Sequence, residues 1–115
     1  MDKATNKLLV LWTSNDKETA LNMVFMYTKN SQVRGWWDEV NLVIWGASAK
    51  LVAEDKEIQE YIKKMIEEGV KVDACKACSD NLGVTEEIEK LGVDVKYVGE
   101  PFTKALKEGW RLISV

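Results

Sequence analysis

Two cysteines stand three positions apart in Cys75-Lys76-Ala77-Cys78, and no other feature of the chain carries so much chemistry. A C-x-x-C pair placed after a strand holds both sulfurs near one turn of backbone. Amides of a turn or helix start, together with the Lys76 ammonium, would favour the thiolate, which is the nucleophilic form. Asp73 and Asp80 would oppose it if they lie close. A thiolate at a cleft can attack a sulfur donor and carry a persulfide. It can equally pair with its neighbour as a reversible disulfide. The plain alternative is a pair of buried cysteines acting as small hydrophobes.

The chain contains no histidine. That removes every Ser-His and Cys-His arrangement and every zinc site that needs imidazole. With one cysteine pair, a zinc shell would require carboxylates or a second subunit, so neither metal nor cofactor is expected. A thioredoxin-like role is disfavoured, because that motif follows an early strand and opens a long helix. Here the pair follows the third apolar run and leads into a short segment ending at Gly83.

Four places bear on a site, because ligands of open α/β sheets bind beyond the carboxyl ends of the strands. They are Trp12 to Asp16, Gly46 to Lys50, Cys75 to Asn81 and Gly99 to Phe102. Gly46-Ala47-Ser48-Ala49-Lys50 turns the chain into a helix, where free amides and Lys50 could take an anionic group. Ser48 as a simple helix cap is the favoured reading there, since the segment is not a P-loop. Trp12 and Trp45 end two apolar runs and either wall a pocket or pack in the core.

The elements that must position these residues follow from the apolar pattern. Lys7 to Trp12 is a short continuous apolar run, as in parallel strands covered on both faces, and Val40 to Trp45 is a second buried strand. Val70 to Ala74, Val93 to Val98 and Trp110 to Val115 complete five predicted strands. Helices are predicted over Lys17 to Lys29, Ala49 to Ala53, Asp55 to Glu68, Glu86 to Leu91 and from Pro101 to Gly109, with Asn30 to Asp38 and Ser79 to Val84 as loops. The third of these has Ile58, Tyr61, Ile62, Met65 and Ile66 on one face, and Gly69 stands just past its end. Thr85 is the expected cap of the short helix after the cysteines, and Phe102, Ala105 and Leu106 are expected to face inward from the last one. The first helix carries two adjacent apolar faces, Leu21, Val24, Phe25 and Thr28 beside Ala20, Met23, Met26 and Tyr27. So broad a surface predicts a subunit contact in addition to the sheet, and the same is expected of Trp36 and Trp37 if exposed. Strands alternating with helices give a three-layer α/β/α fold with a mostly parallel five-stranded sheet.

The totals set limits. At 115 residues a single domain spanning 1–115 is expected, large enough for an ordinary core. The net charge is −3 and lysines are interspersed with glutamates, so no basic stripe exists for nucleic acid. The longest apolar runs are strand-sized, which argues against a membrane span. The start, Met1-Asp2-Lys3-Ala4-Thr5-Asn6, lacks the apolar stretch of a signal peptide. A cytoplasmic location is the expectation, in keeping with so few cysteines.

The chain resembles the DsrE/DsrF-like proteins, a group that includes sulfur-relay subunits. The resemblance runs nearly full length. It is strongest in Val43-Ile44-Trp45-Gly46-Ala47-Ser48-Ala49-Lys50-Leu51 and in Val72-Asp73-Ala74-Cys75-Lys76-Ala77-Cys78-Ser79-Asp80-Asn81-Leu82-Gly83-Val84, with support from Gly99-Glu100-Pro101-Phe102-Thr103 and Gly109-Trp110. It implies a five-stranded parallel sheet between helices and a homo-oligomer, trimeric or hexameric. It also implies a protein sulfur donor or acceptor and a cysteine persulfide. By position, Cys78 is the first choice of sulfur carrier and Cys75 the second. Lys76, Asn81, Trp12, Trp45, Gly46, Ser48 and Lys50 are the supporting candidates. A non-catalytic binding module and a dithiol redox protein are the alternatives.

Overall fold

The computed structural model describes residues 6–115, so the reading of the first residues as leader-free lies outside the described residues. Five strands form one sheet: β1 (Lys7–Trp12), β2 (Glu39–Ile44), β3 (Lys71–Cys75), β4 (Asp94–Lys96) and β5 (Arg111–Ser114). Their order is β4-β3-β2-β1-β5 and every pairing is parallel. No helix among the described residues is long and apolar enough to cross a membrane.

The first helix, α1, is continuous but not uniform. It runs through Lys17–Thr19, a π-helical segment Ala20–Val24, and Phe25–Val33. It therefore outlasts its expected end at Lys29, because Asn30 and Ser31 continue the turn and Ser31 is buried against the core. Asp16 caps its start by accepting from the Glu18 N–H at 3.0 Å. The core draws on both of its apolar stripes: Val24, Phe25 and Thr28 of one and Ala20 of the other are sealed, while Met23 and Met26 of the second are exposed.

The remaining helices are α2 (Ser48–Glu54), α3 (Lys56–Glu67), α4 (Lys76–Leu82), α5 (Thr85–Glu89) and α6 (Gly99–Lys107). In α3, Ile58, Ile62 and Met65 are fully buried at helical spacing, and Asp55 caps the start by accepting from the Ile58 N–H at 3.0 Å. Ser79 to Val84 is expected as a loop, yet Ser79 to Leu82 complete the seven-residue helix Lys76–Leu82, which Gly83 closes in the left-handed region. Thr85 does not cap α5. Its hydroxyl is spent on Asp80 and Ser79 instead. Val98 leaves the fourth strand early and precedes α6, where Leu106 is exposed rather than inward.

The strand order explains how the two faces are covered. The chain steps β1 to β2 to β3 to β4 in one direction, so crossovers of one hand put all intervening helices on one face. Only the step from β4 back to β5 reverses direction, and it places α6 alone on the other face. The cores match this division. Leu8, Val10, Leu42, Ile44 and Val72 pack under α1, α2 and α3. Leu9, Val43, Cys75 and Val98 pack under Phe102 and Ala105 of α6.

Candidate functional site

The site is assembled from the ends of two neighbouring strands. Ile44 of β2 pairs with Ala74 of β3, so the chain leaves both strands side by side. After β2, Gly46 takes φ +78, a conformation that glycine adopts without strain, and turns the backbone into α2. After β3, Cys75 is the last strand residue and also the N-cap of α4. Strand alternation sends Cys75 to the face shared with Leu9 and Val43, where it is 6% exposed.

Cys78 lies one turn into α4 and is half-buried. A cleft of about 310 Å³ opens beside it, lined by Gly46, Ala47, Lys50, Cys78, Asn81 and Leu82. The lining has a simple helical logic. Cys78, Asn81 and Leu82 share one face of α4 at i, i+3 and i+4, while Ala47 and Lys50 sit three apart at the start of α2. A larger depression of about 500 Å³ beside α6 is lined by Gly99, Glu100, Thr103, Lys104, Lys107 and Glu108 and offers no nucleophile.

Burial pushes the Cys78 thiol above its ordinary value, and its hydrogen bond with Cys75 pushes it further. The Gly46 N–H, donated to the Cys78 sulfur, is the one influence pulling the other way. The expected help from Lys76 does not arrive. Its ammonium bonds the Asp80 carboxylate at 2.7 Å and lies over the Tyr97 ring. That pairing raises Lys76 and lowers Asp80. Asp73, the other carboxylate, faces Lys71 at 2.8 Å and Asn41 at 3.2 Å. The resting state of Cys78 is therefore a thiol, not the stabilised anion that the motif suggests.

The remaining candidates divide cleanly. Asn81, Gly46 and Lys50 line the cleft with Cys78. Trp45 packs beside the cysteines and meets Phe102 edge-on at 5.5 Å. Trp12 points to the opposite face, fully buried against Phe25. Ser48 is buried and donates to the Trp12 carbonyl at 2.6 Å, with the Trp45 carbonyl at 3.3 Å. It ties the ends of β1 and β2 together under the cleft and does not line it. The sequence reading missed Ala47 and Leu82, although the i+4 position of Leu82 relative to Cys78 was available as a signal.

The model of the DsrE/DsrF-like family matches residues 6–115. The chain belongs to the DsrE/DsrF-like family. Among solved structures, this DsrE/DsrF-like chain is similar to BT1422, a conserved protein of unknown function from Bacteroides thetaiotaomicron. That likeness has 44% identity and a TM-score of 0.92, covering 96% of this chain and 95% of the other. It is also similar in fold to MTH1491, a protein of unknown function from Methanobacterium thermoautotrophicum, at 16% identity and a TM-score of 0.73, covering 95% and 98%. No curated protein matches. The family association is with sulfur relay, and this DsrE/DsrF-like member presents a close Cys75–Cys78 pair at its strand ends.

Proposed function

We propose that this protein carries sulfur as a persulfide on Cys78. The observation that supports it most is the half-buried Cys78 sulfur opening on a cleft while receiving the Gly46 amide. The resting thiol must first lose its proton. A persulfide is a stronger acid than its parent thiol, so R–S–S⁻ is a weak base, and as it becomes R–S–SH it generates only a small thiolate fraction of Cys78. The resulting Cys78 thiolate then attacks the terminal sulfur of R–S–SH. The S–S bond of the donor breaks, R–S⁻ departs, and Cys78–S–SH remains, with no oxidant or reductant consumed. The Gly46 amide would then stabilise negative charge at the loaded site.

The reading includes a homo-oligomer and a protein that supplies or receives the sulfur. Supporting the first, Leu106 of α6 and Leu112 of β5 are exposed, as are Met23 and Met26 of α1. The contact between the two sulfurs favours a second reading, a dithiol that cycles through a Cys75–Cys78 disulfide.

The test is incubation with inorganic polysulfide followed by mass analysis of the cysteine peptides. A gain of one sulfur on Cys78, abolished in Cys78→Ser, is expected. Labelling that persists unchanged in both Cys78→Ser and Cys75→Ser removes the carrier reading. An intramolecular disulfide as the only product favours the dithiol.

A further inference from the structure

The polar groups around Cys78 fall into two sets. Lys76, Asp80, Thr85 and Ser79 form a closed chain of contacts: ammonium to carboxylate, hydroxyl to carboxylate, hydroxyl to hydroxyl. Ser48 is committed to backbone carbonyls. Lys50 and Asn81 differ. Both are exposed, both line the cleft, and among the described residues neither side chain has a hydrogen-bond or ion-pair partner. Lys50 is also the one charged side chain among the six lining residues.

The two uncommitted polar groups therefore share the cleft lining with the Cys78 sulfur and with the exposed apolar side chains of Ala47 and Leu82. The volume of about 310 Å³ is at the low end for a small-molecule site, and too small for a folded surface to enter. A chain of net charge −3 repels an incoming anion at long range, and a local cation at the mouth offsets this where it matters.

We infer that Cys78 is loaded by a low-mass sulfane-sulfur donor bearing an anionic group, which Lys50 pairs with and Asn81 orients. This rests on the carrier reading and names its substrate class. The terminal sulfur of the donor sits at Cys78, its short apolar link lies on Ala47 and Leu82, and its carboxylate reaches Lys50. Sulfur transfer is as already balanced: the donor S–S bond breaks, the Cys78 S–S bond forms, and the donor leaves as its thiolate.

A matched pair of donors isolates the charge. The persulfides of thioglycolate and of thioglycolamide differ by one carboxylate against one amide at nearly equal size. The loading rate of Cys78 is measured by mass spectrometry at low salt. The native protein should prefer the carboxylate donor by roughly fivefold, the factor supplied by one ion pair at about 4 Å in water. Lys50→Gln should abolish the preference, Lys50→Glu should reverse it, and Lys50→Arg should keep it. Added salt should erode it. Lys50 is exposed, so these variants leave the core untouched. Equal loading by the two donors in the native protein, or a preference that survives Lys50→Gln, overturns this inference while the carrier reading stands. No loading of Cys78 by either donor or by inorganic polysulfide overturns both.

Discussion

The Gly46 N–H points at the Cys78 sulfur across two strand ends that are adjacent in the sheet. It opposes two stronger influences, burial and the Cys75 sulfur, and loses to them. Cys78 should therefore react with iodoacetamide slowly at neutral pH. The rate should climb about tenfold per pH unit until the thiol titrates, above its ordinary value. A rate plateau below pH 8 would mean that the sulfur is an anion at rest and would contradict this arrangement of charges.

The same shift makes stability depend on pH. The folded state holds the Cys78 proton more tightly than the unfolded chain. That stabilisation is complete below the ordinary value of 9.0 and is lost as pH rises through the raised folded value. Tyr61, raised by burial from 10.0, adds to the loss at higher pH. Denaturant melts should show stability falling from about pH 9 upward. Cys78→Ser should flatten the first part of that fall. On the acid side, Asp55, Asp80 and Asp94 are lowered from 3.8 by their hydrogen-bonding partners, so their contribution is present above that value and lost as pH falls through the lowered one.

Ser48 stands between the cleft residues Ala47 and Lys50 in the chain without lining the cleft. Its buried hydroxyl joins the Trp12 carbonyl to the turn at Trp45, and removing it takes one of two donors from the Trp12 carbonyl, which keeps the Trp45 N–H at 3.1 Å. Ser48→Ala should cost about 0.5–1.5 kcal/mol in urea unfolding. Because it moves Gly46 and not the thiol itself, it should also change the alkylation rate of Cys78. A Ser48→Ala protein of native stability would show that the two carbonyls find other partners.

Much of this was legible from residue pattern, and the failures have physical causes. The buried strands carried a continuous apolar signal, and β1 was bounded correctly because Lys7 and Trp12 both lie in it. Asp55 was read inside α3 but caps it, a shift of one residue. Trp12 and Trp45 were grouped because both end a strand run. Yet Trp12 pairs in register with Ile44, so the period of two puts Trp12 and Trp45 on opposite faces. Gly46, Lys50, Cys78 and Asn81 line one cleft because loops after adjacent parallel strands meet, a neighbourhood that chain position indicates. The misread charge at Cys78 has another origin. Motif reasoning credited Lys76 to the sulfur, but an i, i+4 carboxylate at Asp80 is the nearer partner, and no spacing rule reports how deeply a sulfur is buried.

Cys75 decides between the carrier and the dithiol, and its removal gives the two readings opposite signs. In the carrier reading Cys75 restrains its neighbour, because the hydrogen bond between the two sulfurs keeps the proton on Cys78. Cys75→Ala should then bring the Cys78 thiol down toward its ordinary value and speed its alkylation at neutral pH. Loading from polysulfide should persist. The substitution removes one buried sulfur and should cost about 1–2 kcal/mol through the small cavity left. In a dithiol, loss of Cys75 abolishes the reversible oxidation and spares no turnover at all. Faster alkylation with retained sulfur loading in Cys75→Ala supports the carrier. Slower alkylation, or loading lost together with Cys75, would assign the chemistry to the pair.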